Sequence, residues 1–173
     1  MKKILIVEDT PINLESAKKF FATISNFEFI YTTNRYEAQQ LLSTVDALIT
    51  DRSIPFCSSD TINNYSNLRH GENDYKIVLN MNGYDLLAQA VVLGIPRLMF
   101  SNHGTSNFLL TLDNKELCEK ALDLKGDDYD GTHRYEVFSP VDSEAKRNRL
   151  DEDITKDKSS SWALAWTELQ KQF

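Results

Sequence analysis

Short apolar runs and amphipathic stretches alternate along the first third of the chain. Runs rich in β-branched or aromatic residues are typical of buried strands, and three occur, at Ile4–Val7, Phe27–Tyr31 and Val45–Thr50. Helices are predicted between them, because Thr10-Pro11 suits a helix start and Arg35–Leu42 carries apolar residues at helical spacing. The order β-α-β-α-β predicts a parallel sheet with helices on both faces.

The pattern loses its regularity after the third run and returns near Gly83. Residues 56–80 are rich in Ser, Asn and Asp, so they are predicted to form an insertion or long loop, with at most a brief strand at Lys76–Leu79. Further helices and strands then alternate, with a polar turn at 101–104. The helices are predicted at 84–91, Lys115–Leu124, Ser143–Lys158 and 162–169, and the strands at Ile95–Phe100 and Tyr135–Phe138.

Composition narrows the class of protein. The chain has 173 residues, of which 41% are hydrophobic and 26% are charged, as expected for a globular domain. It carries 19 Lys and Arg against 26 Asp and Glu, a net charge of -7. An acidic surface repels phosphate backbones, so we expect no nucleic-acid partner.

The remaining composition signals predict a reduced, cytoplasmic protein. Cys57 and Cys118 make no disulfide or metal framework and are predicted to be free thiols. The apolar run that follows Met1-Lys2-Lys3 stops at Glu8, which is too early for a signal peptide. No apolar stretch approaches the roughly 18 residues that a membrane span needs, so no membrane association is expected.

Acidic residues stand where two of the predicted strands end. Glu8 and Asp9 follow the first strand, and Asp51 follows the third. In a flavodoxin-like strand order 2-1-3-4-5 these strands are neighbours, and ligands bind beyond their carboxyl ends. The three acids are therefore predicted to meet in one cleft. Clustered carboxylates repel one another unless a cation lies among them, and oxygen ligands at such a cleft suit Mg²⁺.

The motifs around these acids resemble a response-regulator receiver domain. Residues 4–13 (Ile-Leu-Ile-Val-Glu-Asp-Thr-Pro-Ile-Asn) are similar to the opening of that family. Residues 46–55 resemble its third strand, with Asp51 as phosphoacceptor and Pro55 four residues on. Residues 81–87 resemble the segment that normally follows that proline, and residues 94–101 resemble the fourth strand with its switch hydroxyl.

The resemblance implies a signalling activity and assigns roles to residues. It implies phosphoryl transfer from a histidine kinase or phosphotransfer protein to Asp51. Glu8, Asp9, Asp51 and the backbone carbonyl of Ser53 would hold Mg²⁺. Ser101 would report the phosphorylated state, and Tyr135 lies near the position of the switch aromatic, one residue out of register. Output would then pass to a downstream protein partner.

Two features depart from that family. Receivers carry a Lys before a Pro at the end of the fifth strand, where this chain has Ser139 before Pro140, so the Lys is apparently lost. Lys115 or Lys125 could supply the charge instead, although both are more typical of solvated helix residues. The segment between the third strand and Met81 is also much longer than in the family.

The expected structure is a single domain over residues 1–173. It is a flavodoxin-like, doubly wound sheet of five parallel strands in the order 2-1-3-4-5, with an insertion at about 56–80 and a C-terminal extension with an extra helix at about 143–173. Three functions stay open. They are a stand-alone receiver, a pseudo-receiver adaptor that binds a partner without phosphorylation, and a hydrolase or phosphatase with Asp51 as nucleophile. Ser53 counts against the last, because a haloacid-dehalogenase-like enzyme has an acid there.

Overall fold

A computed structural model describes residues 1–55, 82–103, 106–123, 140–141 and 143–173. Helices and strands alternate through most of this length, as the hydrophobic pattern predicts. The strands are β1 (Lys2–Val7), β2 (Phe27–Thr32), β3 (Ala47–Thr50), β4 (Arg97–His103), β5 (Ser106–Thr111) and β6 (Lys146–Leu150). The helices are α1 (Pro11–Phe21), α2 (Arg35–Leu42), α3 (Asn82–Leu93), α4 (Lys115–Asp123) and α5 (Ser159–Gln170).

The strands form one mixed sheet in the order β2-β1-β3-β4-β5-β6. The first four in chain order are parallel, so the prediction of an α/β fold with the order 2-1-3-4 is confirmed. Val7 pairs with Thr32 on one side and with Thr50 on the other, so β1, β2 and β3 end at the same level. Residues that follow these strands therefore gather at one edge of the sheet.

The prediction of five parallel strands is wrong, because β5 and β6 run antiparallel to their neighbours. Only residues 104 and 105 separate β4 from β5. A parallel return needs a crossover of a dozen or more residues, whereas a connection this short permits only a hairpin. The predicted fifth strand at Tyr135–Phe138 lies outside the described residues.

The prediction of a helix over Ser143–Lys158 is also wrong, because Lys146–Leu150 forms strand β6. Four consecutive residues of β6 are exposed, and only its last residue is partly buried. A strand that buries so little side-chain surface shows no alternation of apolar and polar residues. Its charged sequence therefore looks like that of a solvated helix.

Helices cover both faces of the sheet, and alternate residues of β1 point to opposite layers. Ile4 and Ile6 pack in a core with α1 and α5, whereas Leu5 and Val7 pack in a core with α2 and α3. Trp162 and Trp166 of α5 are 1% and 6% exposed, which confirms the prediction that they cover the core. The continuous apolar run at the start of the chain thus reflects a strand buried on both sides.

The first turn of α3 lies against the backbone that follows β3. The Gly83 amide donates to the Arg52 carbonyl at 3.1 Å, and a Cβ at Gly83 would stand 1.9 Å from the carbonyl oxygen of Asp51. Only glycine permits this approach without a backbone shift. Farther along α3, the Asp85 carboxylate forms a buried ion pair with Arg35 at 2.7 Å.

Gly83→Ala should destabilise the protein by about 1–3 kcal/mol, because its new methyl group meets backbone atoms that cannot move independently. Without that clash, Ala in a helix would be more favourable than Gly by about 1 kcal/mol. Urea unfolding measures the difference. Gln40→Ala, at an exposed position of α2, is the matched control and should change stability by less than about 0.5 kcal/mol. A Gly83→Ala protein at least as stable as the wild type would contradict the close approach.

Candidate functional site

The parallel strands bring the three predicted acids together. The Glu8 amide donates to the Thr32 carbonyl at 3.1 Å, and the Asp51 amide donates to the Val7 carbonyl at 2.9 Å, so both acids extend the strand ladders. One carboxylate oxygen from each of Glu8, Asp9 and Asp51 lies within 4.8 Å of the others. The prediction that these three residues come together is confirmed.

Glu8 is held rigidly despite its charge. Its side chain is 1% exposed. Its Oε1 accepts hydrogen bonds from the Thr10 amide at 3.1 Å and from Asn13 Nδ2 at 3.2 Å. Its Oε2 accepts from Lys156 Nζ at 2.6 Å. Donors therefore reach both carboxylate oxygens, which is what a buried carboxylate needs to remain charged.

The Asp51 side chain is more accessible than that of Glu8, and a hydrogen bond from the following loop orients it. Its side chain is 14% exposed. The Ser53 amide donates to Oδ2 at 3.1 Å, and Lys156 Nζ donates to Oδ1 at 2.5 Å. The hydrogen bond from Ser53 closes a tight turn directly after β3. The role of the Ser53 carbonyl as a metal ligand stays a prediction.

Lys156, which the sequence analysis did not single out, contacts two of the three acids. It lies in the loop between β6 and α5, and its side chain is 2% exposed. Burial by itself lowers the pKa of Lys156, but the attraction of Glu8 and Asp51 outweighs burial and raises the pKa above its ordinary value. The ammonium group is therefore charged and bridges Glu8 to Asp51.

The backbone of Lys156 is fixed as firmly as its side chain. Trp162 Nε1 donates to the Lys156 carbonyl at 2.8 Å in a buried hydrogen bond. The Trp162 ring packs edge-on against Phe21 and Phe100, with ring centroids 5.9 and 5.3 Å away. The aromatic core of α5 thus sets the position from which the ammonium group reaches the acids.

Asp9 is compensated only in part. Its pKa is raised to about 6, first because the residue is half-buried and then because Glu8 and Asp51 repel its negative charge. Lys156 opposes this rise without cancelling it. Among the described residues, three carboxylates face one ammonium group, so this cluster carries an excess of negative charge that a further cation would relieve.

The structure describes only part of the remaining predicted site. Ser101 is 1% exposed in β4. Because Met99 pairs with Thr50, Ser101 lies two residues farther toward the edge that bears the acids. Tyr135, Ser139, Lys125 and the predicted insertion at 56–80 lie outside the described residues. Lys115 is exposed and pairs with Glu119 at 3.7 Å on α4, so its charge serves the helix surface.

Comparisons with protein-family models, with curated proteins and with solved structures gave no match for this chain. Among the described residues, no helix is both long and apolar enough to cross a membrane.

Replacing Lys156 by methionine should destabilise the protein by about 3–5 kcal/mol at neutral pH, because Glu8 would keep a buried charge without its cation. The measurement is urea unfolding. Lys171→Met is the matched control: it removes a lysine whose side chain is 64% exposed and which pairs with Glu168. That change should lower the free energy of unfolding by less than about 1 kcal/mol. Equal losses in the two variants would show that the Lys156 bridge adds nothing to stability.

The raised pKa of Asp9 predicts a pH dependence in metal-free buffer. Unfolded Asp9 releases its proton near 3.8, whereas folded Asp9 keeps it until about 6. The folded state therefore binds more protons between these values, and the contribution of Asp9 to stability decreases as pH rises through this window. Urea unfolding of wild type and Asp9→Asn, across the window and above it, measures this contribution.

The wild type should lose stability relative to Asp9→Asn as pH rises from about 4 to about 6, and the difference should then level off. The variant should be the more stable protein above the window. A stability difference that is constant with pH would contradict the electrostatic strain assigned to Asp9.

Proposed function

We propose that this chain is a receiver-type signalling domain that accepts a phosphoryl group on Asp51 in the presence of Mg²⁺. The observation that carries the proposal is the Lys156 ammonium group, which bridges Glu8 and Asp51 beside Asp9. Receivers combine acids with one lysine, and the apparent loss of that lysine is one of the two departures of this sequence from the family. Lys156 supplies the missing charge from the loop before α5.

In the proposed reaction, Asp51 of this chain is the acceptor and a phosphohistidine of another protein is the donor. A carboxylate oxygen of Asp51 forms a bond to phosphorus as the bond from phosphorus to a phosphohistidine nitrogen of the donor breaks. The imidazole leaves with the electron pair of the broken bond. Lys156 lies within hydrogen-bond distance of the Asp51 carboxylate, so it can pair with the new phosphoryl oxygens. Hydrogen bonds from Thr10 and Asn13 keep Glu8 oriented throughout.

The donor set fits a divalent metal ion. Carboxylate oxygens are the ligands that Mg²⁺ prefers, and three carboxylates lie beside one ammonium group in the part of the chain that the structure describes. We assign Glu8, Asp9, Asp51 and the Ser53 carbonyl as the residues that would hold it. When bound, Mg²⁺ would neutralise the charge that develops on the transferred phosphoryl group.

A receiver-type domain requires a phosphoryl donor and a protein that receives the signal. The phosphoryl donor is a histidine kinase or a phosphotransfer protein, and the signal passes to a downstream protein in the cytoplasm. Ser101, near the acidic edge of the sheet, is the proposed switch hydroxyl. The net charge of -7 supports protein contacts over nucleic acid.

A pseudo-receiver adaptor is the second candidate, and the position of Lys156 also supports it. Lys156 already neutralises Glu8 and Asp51 in a buried ion pair. An internal cation of this kind can take the place of a metal ion and leave Asp51 unreactive. The two candidates differ in one measurable property, the covalent modification of Asp51.

Acetyl phosphate with Mg²⁺ should add one phosphoryl group to the wild-type protein, as read by intact mass. Asp51→Asn should remain unmodified, because it lacks the nucleophilic carboxylate. Asp46→Asn is the matched control: Asp46 precedes β3, accepts a hydrogen bond from the Lys3 amide at 2.7 Å and lies at the opposite end of the strand. This variant should be modified like the wild type.

Chelation of Mg²⁺ should abolish the modification in every sample. Beryllofluoride, which mimics an acyl phosphate, should shift NMR resonances of residues around Asp51 under the same conditions. A wild-type protein that stays unmodified and shows no beryllofluoride shift would contradict the phosphorylation proposal and favour the adaptor.

A further inference from the structure

The Lys156 ammonium group lies between two of the three acids, inside the cluster that is proposed to hold a divalent ion. Its Nζ is 2.6 Å from Glu8 Oε2 and 2.5 Å from Asp51 Oδ1. The contact with Glu8 is buried, and the contact with Asp51 is partly buried. The chain therefore already supplies this cluster with one cation of its own.

The hydrogen bonds of Glu8 show which of its oxygens a metal ion would have to share with Lys156. Oε1 accepts from the Thr10 amide at 3.1 Å and from Asn13 Nδ2 at 3.2 Å, so both of its lone pairs are in use. Among the described residues, Oε2 accepts from Lys156 alone. A metal ion that binds Glu8 directly would therefore bind the oxygen that now holds the ammonium group.

Two cations on one carboxylate oxygen repel each other strongly when water is excluded. A divalent ion on Glu8 Oε2 would stand less than about 5 Å from the ammonium group of Lys156. The two side chains are 1% and 2% exposed, so solvent screens this repulsion poorly. The ammonium group and the metal ion are therefore alternative partners of Glu8.

Lys156 can release Glu8 without a change in the position of its backbone. Its carbonyl is held by Trp162 Nε1 at 2.8 Å, whereas its four-carbon side chain has freely rotatable bonds. Asp51 holds the ammonium group from one side. The Phe100 ring, whose centroid is 5.6 Å from Nζ, attracts it from another. A small rotation of the side chain thus separates Lys156 from Glu8 and keeps its contact with Asp51.

We propose that Lys156 gives up Glu8 to a divalent ion, and that this exchange regulates the site. Without the ion, Lys156 neutralises Glu8 and Asp51 and keeps Glu8 unavailable as a ligand. With the ion, Lys156 pairs with Asp51 alone, where a phosphoryl group would arrive. Because the ion must first replace an ion pair, it binds more weakly than it would to the same acids without the lysine. This inference rests on the metal site of the proposed function, but it does not require phosphorylation of Asp51.

Calorimetric titration of the full chain with Mn²⁺, with no phosphoryl donor present, measures the exchange. Lys156→Met should bind Mn²⁺ at least about tenfold more tightly than the wild type, because no ammonium group then competes for Glu8. Lys158→Met is the matched control. It removes the same charge from the same loop, at an exposed side chain that donates to the Asp153 carbonyl. It should bind Mn²⁺ within about twofold of the wild type, because solvent screens an exposed charge.

The direction of the change separates exchange from a purely structural role. A lysine that only supported the fold would leave a distorted cluster when removed, and Lys156→Met would then bind Mn²⁺ more weakly. A second measurement uses the wild type alone, so it does not depend on the folding of the variant. In NMR spectra, the Cε signal of Lys156 should shift as Mg²⁺ is added. The Cε signal of Lys171, which pairs with Glu168 at 2.6 Å, should stay unchanged.

Three results would overturn the exchange. They are Mn²⁺ binding by Lys156→Met that is no tighter than that of the wild type, an equal gain in Lys158→Met, and a Lys156 signal that does not move at saturating Mg²⁺. If neither the wild type nor Lys156→Met bound Mn²⁺, the proposed metal site would fall together with the exchange. Mn²⁺ binding without exchange would overturn only this inference and leave the proposed phosphorylation of Asp51 in place.

Discussion

The repulsion among three carboxylates is the constraint on which the site depends. Parallel pairing of β1 with β3 places Glu8, Asp9 and Asp51 at one edge of the sheet, where burial strengthens their mutual repulsion. In the part of the chain that the structure describes, one buried ammonium group opposes this repulsion, because Lys156 pairs with both Glu8 and Asp51. Burial and the two neighbouring carboxylates still keep the pKa of Asp9 raised. Among the described residues the cluster thus keeps more negative than positive charge, and the proposed cation site rests on that excess.

The position of Lys156 links this electrostatic balance to the core. Its carbonyl accepts a hydrogen bond from Trp162, and the Trp162 ring packs on Phe21 and Phe100 in the layer formed by α1 and α5. Covalent or ionic changes at Asp51 would alter the attraction that holds the ammonium group. Lys156 and Trp162 thus connect the acids to α5 through one loop.

The hydrophobic pattern of the sequence was sufficient to predict the parallel strands and the place of the three acids. The apolar runs around Ile4–Val7 and Ala47–Thr50 are continuous because those strands are buried on both faces, and a strand that ends in an acid places it at the sheet edge.

The antiparallel strands were missed for the opposite reason. β6 is exposed and charged, so it has no apolar period, and the β4–β5 hairpin was hidden by a polar stretch that extends both strands. Lys156 was missed because it lies within the highly charged stretch Ser143–Lys158, which the sequence predicted to be an exposed helix. The one available signal was the unbalanced charge of three acids, which requires a cation without saying where in the chain it lies.

The central claim is that the acids form a divalent-cation site whose charge Lys156 partly balances. Anomalous diffraction from crystals grown with Mn²⁺, a close substitute for Mg²⁺ with a strong anomalous signal, tests it most directly. The account predicts one anomalous peak in contact with carboxylate oxygens of Glu8, Asp9 and Asp51, and Lys156 still in contact with Asp51. A cluster without a peak, with Lys156 still bridging Glu8 and Asp51, would contradict it.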